Sequence, residues 1–285
     1  MRQVSGTAAK AGGLSLPHEA LEVIEGRRRW AVIHGEALLL LLLMPDACID
    51  AVIADQPYSS GGQFKGDRAK TTVSKYVLDR GQVMRPEFTG DNRDQRSFAT
   101  WAALWLAQAH RVAKEGAPVV LATDWRQLPA TTDALQAGGW IWRGIVPWDK
   151  TEGARPQKGR FMAQCEYWPW GSKGAMPEER GVGCLSGIVR QYPNPSEKNH
   201  IASKTPKVMA PLVEICEPGG LILDPFTGGA STGIAALASG RRFIGFELDD
   251  ACFEEAKRTM QSFDAGLSAE QARGAAQGQL FGGLS

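Results

Sequence analysis

Short apolar runs recur along the chain at 31–33, 51–54, 119–122, 141–146, 221–223 and 243–246, each bounded by polar or turn-forming residues. Runs of this length, rich in Val, Ile, Leu and Phe, predict buried strands. Between them lie stretches such as 98–114 and 234–238 whose apolar positions recur at helical spacing, which predicts helices. Strands alternating with helices predict an α/β fold with a mostly parallel sheet covered on both faces. In such sheets ligands lie at the carboxyl ends of strands, so acids found there are candidate site residues.

Four stretches depart from the alternation. The six leucines at 38–43 are flanked by polar and charged residues and fall well short of the roughly 20 apolar residues a membrane span needs, so they predict a buried element. The N-terminal 17 residues lack the apolar core of a secretory signal and predict a flexible tail. After Tyr58 comes a Gly-rich polar segment with Lys65, Arg68, Lys70 and Lys75, read as a mobile basic loop. From Lys150 to about Lys198 the cations Arg155, Lys158, Arg160, Lys173 and Arg190 are scattered among Gly, Pro and Trp, as in an insertion with its own surface chemistry.

With 285 residues, 43% hydrophobic and 22% charged, the chain has enough apolar residues for one large domain, and a net charge of +1 leaves any nucleic-acid surface to local clustering. Five cysteines without a C-x-x-C pair and four histidines without ligand spacing predict a reduced, metal-free, cytoplasmic protein.

Two stretches carry chemistry. In "GGLILDPFTGGASTGIAALASGRRFIGFELDD" an apolar strand ends in Asp224, a turn with Gly228 and Gly229 opens a helix, and the next strand ends in Glu247. That order is the pattern of a nucleoside site, in which the acid receives ribose hydroxyls and the glycines let the backbone approach the ligand. Asp224 would repel a dinucleotide pyrophosphate but suits the cationic sulfonium and ammonium of S-adenosylmethionine, and the glycines do not follow G-x-G-x-x-G. In "IDAVIADQPYSSGG" the strand ends in Asp55, followed by Gln56, Pro57 and Tyr58. The Asp55 carboxylate and the Gln56 carbonyl supply two acceptors for an amino group, and Tyr58 supplies a face on which a base stacks. Two acceptors localise the conjugated lone pair of an exocyclic amine toward a methyl donor, and they strengthen as the nitrogen becomes cationic. Such a base has first to leave the duplex stack.

"DQPY" resembles the D-P-P-Y motif of amino-methylating DNA methyltransferases, and "DPFTGGAST" resembles their S-adenosylmethionine loop, which adds Pro225, Phe226, Ser231 and Thr232 to the cofactor residues. The catalytic motif precedes the cofactor motif, an order similar to the β class of adenine-N6 or cytosine-N4 enzymes. The resemblance implies a circularly permuted, Rossmann-like methyltransferase fold. It divides the chain into a flexible tail (1–22), a catalytic half (23–149), a target-recognition insertion (150–199), a cofactor-binding half (200–263) and a flexible C-terminal tail (264–285).

The same resemblance places Glu36 at the cofactor adenine and His200, Ser203 and Lys204 at its methionine end, and sets Trp148 and Lys150 near the target base. It makes Lys65, Arg68, Lys70, Arg155, Lys158, Arg160 and Lys173 candidates for DNA contact. The implied reaction is methyl transfer to adenine N6 in double-stranded DNA after base flipping. The alternatives are cytosine N4 and a catalytically decayed DNA-binding relative in which Gln56 marks the decay. Cytosine C5 chemistry is disfavoured, because it uses a cysteine after a proline and none of the five cysteines follows one. Relatives of this class imply a homodimer. On the tail, "QGQLF" resembles peptides that dock on the bacterial sliding clamp through Gln277, Leu280 and Phe281.

Overall fold

The structure, a computed structural model, describes residues 15–58, 93–153, 158–192 and 204–281. Its described elements are α1 (His18–Ile24), β1 (Trp30–His34), α2 (Ala37–Leu43), β2 (Ala51–Ala54), α3 (Gln95–Val112), β3 (Pro118–Leu121), α4 (Leu128–Ala137), β4 (Ile141–Asp149), β5 (Cys165–Ser172), β6 (Val189–Arg190), α5 (Pro206–Val213), β7 (Leu221–Asp224), α6 (Ser231–Ala238), β8 (Arg242–Glu247) and α7 (Asp250–Phe281). The strands form one sheet in the order β1-β8-β7-β2-β3-β5-β4-β6, in which only β5 runs against its neighbours.

The apolar runs become strands because the sheet is covered twice. Val52 and Ala54 point into a core with Leu41, Phe98, Trp105 and Leu135 from α2, α3 and α4. Their neighbours Ala51 and Ile53 point into a second core with Met209, Ala236 and Met260 from α5, α6 and α7. A strand buried on both faces has no polar phase to show, so its sequence reads as a continuous apolar run.

From the central pair the chain departs in opposite directions. β7 pairs with β8 on one side and β2 pairs with β3 on the other, while β2 and β7 lie parallel to each other (Ala51 opposite Ile222). This reversal opens a crevice at the carboxyl ends of β2 and β7, the place where open α/β sheets bind ligands. Asp224 ends β7, and Asp55 follows β2.

Four expectations change. The N-terminal tail expected to reach residue 22 ends earlier, because His18–Ile24 form α1 and Leu16 and Ala20 are buried in the core. The six-leucine run is helix α2, with Leu41 buried and Leu39 and Leu42 more than half or just half exposed. The segment 150–199 is not a separate insertion throughout, because its residues Cys165–Ser172 form β5 between β3 and β4 in the sheet. The chain beyond Asp264, expected to be a flexible tail, continues α7 to Phe281.

At the opposite edge of the sheet Asp50 ties three segments together. It is 5% exposed, accepts the Leu221 backbone N–H at 2.7 Å and pairs with Lys114 Nζ at 2.6 Å. Asp50→Ala should lower unfolding free energy by about 1–3 kcal/mol, the cost of orphaning a buried donor. Urea denaturation measures it.

Candidate active site

The crevice has a β7 side and a β2 side. On the β7 side Asp224 is 1% exposed and held by its own loop: Oδ1 accepts the Phe226 N–H at 3.0 Å and Oδ2 accepts the Thr232 hydroxyl at 2.6 Å. Burial raises its pKa to about 7, outweighing these two hydrogen bonds, and the nearby Asp55 and Glu247 carboxyls push the same way. A carboxyl raised in the folded state stabilises the fold at low pH. That contribution disappears as pH climbs from the ordinary aspartate range through about 7.

The loop after Asp224 is stitched to β8. Thr227 N–H donates to the Phe246 carbonyl at 2.9 Å, a crossing that Gly245 permits, since a Cβ there would stand 2.1 Å from the Thr227 hydroxyl. Gly228 adopts φ +49°, with open space where a side chain would be, and donates its N–H to Glu247 at 2.8 Å. The second Glu247 oxygen accepts the Asp249 N–H at 2.9 Å. Burial raises the Glu247 pKa as well, against these backbone donors. A buried acid and a half-buried one, with Gly228 between them and nothing among the described residues near its Cβ position, thus face one crevice, an arrangement suited to a cationic ligand bearing hydroxyl groups.

On the β2 side a buried lysine gathers Asp55 and Tyr58. Lys204, 6% exposed, places Nζ 3.0 and 3.2 Å from the two Asp55 carboxylate oxygens, 3.2 Å from Glu166 and 3.4 Å from the Tyr58 hydroxyl. An ammonium has three N–H donors, and these three partners match that number. Tyr58 in turn donates to Glu166 at 3.2 Å, and Lys150 pairs with the other Glu166 oxygen at 2.5 Å. Burial alone would depress the Lys204 pKa, but Asp55 and Glu166 outweigh it and hold the pKa well above the usual value. Burial likewise opposes ionisation of Glu166, and Lys204 and Lys150 overcome it, lowering its pKa to about 2. The site therefore contains two acids and two lysines, close to neutral as a set.

Residues 49–258 match the N6/N4 methyltransferase family, described as DNA methylase. The chain belongs to this DNA methylase family. YubD of Escherichia coli (strain K12), a protein named only as a methylase, is 26% identical over 250 residues, covering 87% of this chain and 96% of YubD. YhdJ of the same strain, a DNA adenine methyltransferase, is 21% identical over 258 residues, covering 79% of this chain and 80% of YhdJ. Among solved structures, M1.HpyAVI in complex with S-adenosylmethionine gives a TM-score of 0.57 at 19% identity, covering 81% of this chain and 98% of that one. The cytosine-N4-specific PvuII DNA methyltransferase gives 0.56 at 15% identity, covering 81% and 86%. These two structures share the fold.

In this methylase the acids expected at strand ends, Asp55, Asp224 and Glu247, come together at one edge. Pro225 is buried, and Phe226 packs edge-on against Trp105 with ring centroids 5.1 Å apart, so it anchors the loop from behind. Ser231 donates its hydroxyl to the Lys204 carbonyl, joining the two sides of the crevice. Gly229 lies between Gly228 and this helix start. Glu36 stands at the same edge, next to Gly35, whose N–H donates to the Glu247 carbonyl at 2.9 Å; its own carboxylate accepts the Leu39 N–H and caps α2.

Three readings of the sequence need revision. Lys204 was assigned to the cofactor, whereas its ammonium binds Asp55 and Tyr58. Trp148 is 3% exposed with its indole N–H on the Gln191 carbonyl, which makes it a core residue under Lys150. Lys173, expected among the DNA-contacting cations, is instead tied to a helix end. Its ammonium donates to the His110 and Ala113 carbonyls, both at 2.9 Å, capping the carboxyl end of α3 at the edge of the sheet away from the crevice. Lys158 and Arg160 are exposed on the β4–β5 connection. Lys65, Arg68, Lys70, Arg155, His200 and Ser203 lie outside the described residues.

Glu166 was missed altogether, since a lone acid in "CEYWPWGS" has no spacing relation to residues 55 or 204. Gln56 is 1% exposed, and neither atom of its side-chain amide has a hydrogen-bond partner among the described residues. Its side chain therefore takes no part in the ion-pair network.

A carboxylate whose pKa is lowered on folding stabilises the native state above its unfolded pKa and loses that contribution as pH falls through the folded value. For Glu166 the window runs from about 4.5 down to about 2. Urea titrations across this range should show wild type losing about 3 kcal/mol attributable to this group, at about 1.4 kcal/mol per pKa unit, with Glu166→Gln lacking that part of the pH dependence.

Proposed function

We propose that this methylase transfers a methyl group from S-adenosylmethionine to N6 of adenine in double-stranded DNA, with the target base flipped into the crevice. The observation that carries the reading is the convergence of Asp55 and Asp224 at adjacent strand ends, close enough for Asp55 to raise the Asp224 pKa. The crevice suits the cofactor. Asp224 is a buried carboxyl that no cation pairs with among the described residues, Glu247 borders the Gly228 turn, and both acids fit a ligand carrying positive charge and ribose hydroxyls. When bound, S-adenosylmethionine supplies a methyl group on a cationic sulfur, which leaves with the C–S electron pair.

The residues of the chain prepare the nucleophile. The Asp55 carboxylate, fixed by Lys204, accepts one amino N–H of the base, and the Gln56 carbonyl accepts the other. As the nitrogen gives its lone pair to the methyl carbon it becomes cationic, and both acceptors bind it more strongly than they bind the neutral amine. The excess proton then leaves along the hydrogen bond to Asp55. Tyr58 presents a face to the base, and its hydroxyl is held by Glu166 and Lys204. The carbonyl at position 56 is supplied by any residue, so glutamine in place of proline is compatible with activity. Adenine is favoured over cytosine by aspartate at position 55 and by the likeness to YhdJ over most of both chains. The permuted β-class order rests on Asp55 preceding Asp224 in the chain.

DNA contact is assigned to Lys158 and Arg160 on the β4–β5 connection together with Lys65, Arg68, Lys70 and Arg155. A homodimer on DNA and a sliding-clamp contact through Gln277, Leu280 and Phe281 complete the reading. The backbone is helical through all three tail positions. Retention of the clamp by Leu280→Ala plus Phe281→Ala in a pull-down would remove that partner.

Purified protein, labelled S-adenosylmethionine and duplex DNA, followed by nucleoside analysis, test the reaction. N6-methyladenine is expected, N4-methylcytosine would overturn the base assignment, and no incorporation would overturn the activity. Asp55→Ala should lower the rate by about 10²–10³-fold, the scale of losing one preorganised charge-stabilising group, and Tyr58→Ala should lose most activity. Gln56→Pro should keep activity, and its melting temperature should not fall, because an unpaired buried amide is removed.

The raised pKa of Asp224 adds a pH test. A cation at Asp224 binds the ionised carboxylate, so below about pH 7 binding has to displace a proton. Calorimetry should show cofactor affinity falling toward about tenfold per pH unit below that point in wild type and a flatter profile in Asp224→Asn.

A further inference from the structure

The connection between β4 and β5 carries a feature that the chemistry above does not use. The ladder of the hairpin ends at Asp149 opposite Cys165, and Lys150 N–H continues it to the Gln164 carbonyl at 3.1 Å. Beyond this point Phe161 is fully exposed, at 101% of its reference area, with Met162 exposed beside it. Lys158 and Arg160 precede them, both exposed, and 158–164 contains no acid. Gly159, at φ +71°, has nothing among the described residues within 4 Å of where a Cβ would stand.

The base of this projection is fixed. One Asp149 oxygen accepts the Thr151 N–H at 2.8 Å and the Gln164 side-chain amide at 2.7 Å, and the other pairs with Arg190 at 3.2 Å. A single carboxylate thus clamps both arms of the hairpin. Its place is at the crevice, because Glu166, one residue into β5, binds Lys204 and Lys150. Phe161 is five residues from Glu166, within roughly 17 Å along an extended chain.

A single exposed apolar side chain is ordinary on a protein surface. An apolar tip preceded by two cations, on a clamped base beside a crevice, matches a partner with anionic flanks and a stacked aromatic interior. Duplex DNA has that chemistry, and apolar side chains are known to enter base steps and unstack them. We propose that Phe161 inserts into the base stack beside the target and occupies the space the flipped base leaves, with Lys158 and Arg160 on flanking phosphates. This rests on the DNA-methylating function proposed above. Phe161 is a positioning residue: it lowers the cost of extrusion and leaves the chemical step unchanged.

The test uses the full chain and duplexes carrying the target found by sequencing methylated DNA from an expressing host. One duplex is fully paired, and the other carries an abasic site opposite the target base, which reduces the cost of extrusion. Phe161→Ala should methylate the paired duplex at least about tenfold more slowly than wild type and approach the wild-type rate on the abasic duplex, the pattern of a defect confined to extrusion. A 2-aminopurine at the target position should brighten on binding wild type and less on binding Phe161→Ala. Ile141→Ala, an exposed apolar residue at the other end of β4, should match wild type throughout. Equal rates for Phe161→Ala and wild type on paired DNA, or a defect that persists on the abasic duplex, would overturn the wedge and leave the methylating function standing. Absence of any methylated base in DNA from the wild-type host would overturn that function, and the wedge with it.

Discussion

The ammonium of Lys204 is the interaction on which the site depends. It comes from the residue just before the Thr205 cap of α5, yet its partners belong to the end of β2 and to β5. A charge buried to this extent is tolerated only when it is paired and fully hydrogen-bonded, and removing one member of such a set typically costs about 3–5 kcal/mol. The same requirement restricts the Asp55 carboxylate to one orientation. A group that must meet a developing positive charge gains from being oriented before substrate arrives, because no reorganisation is then needed during reaction.

The crevice combines this neutral cluster with a second, uncompensated one. Around Asp55 and Glu166 two lysines balance two acids, whereas among the described residues Asp224 and Glu247 accept from backbone N–H groups and a threonine hydroxyl, and burial raises both pKa values. The imbalance suits the two halves to the different work proposed for them: a fixed acceptor site on the β2 side and a cation-seeking site on the β7 side. They adjoin because β2 and β7 are neighbours from which the chain departs in opposite directions. Ser231 reinforces the junction through the Lys204 carbonyl.

What could be read from sequence followed from local patterns. Asp55, Asp224 and Glu247 each close an apolar strand, so their position at one sheet edge followed from the α/β alternation. β5 was hidden because Trp, Pro and Gly in "CEYWPWGS" resemble loop composition, while its antiparallel pairing with β3 and β4 depends on partners distant in sequence. Glu166 was hidden with it, since its contact with Tyr58 spans 108 residues. Lys173 shows the converse difficulty: a cation that reaches helix carbonyls and one that reaches phosphate look alike in one dimension. The long α7 was missed because its alanines and glycines gave no clear apolar stripe.

The role proposed for Lys204 is to hold the acceptor site and not the cofactor. Its most direct test compares methyl transfer at saturating substrates with cofactor binding by calorimetry, in wild type and Lys204→Met. In Lys204→Met a kcat lower by about 10²-fold is expected, the scale of a misplaced catalytic group, with the cofactor Kd within a few-fold of wild type. A weakened Kd with kcat unchanged would contradict it.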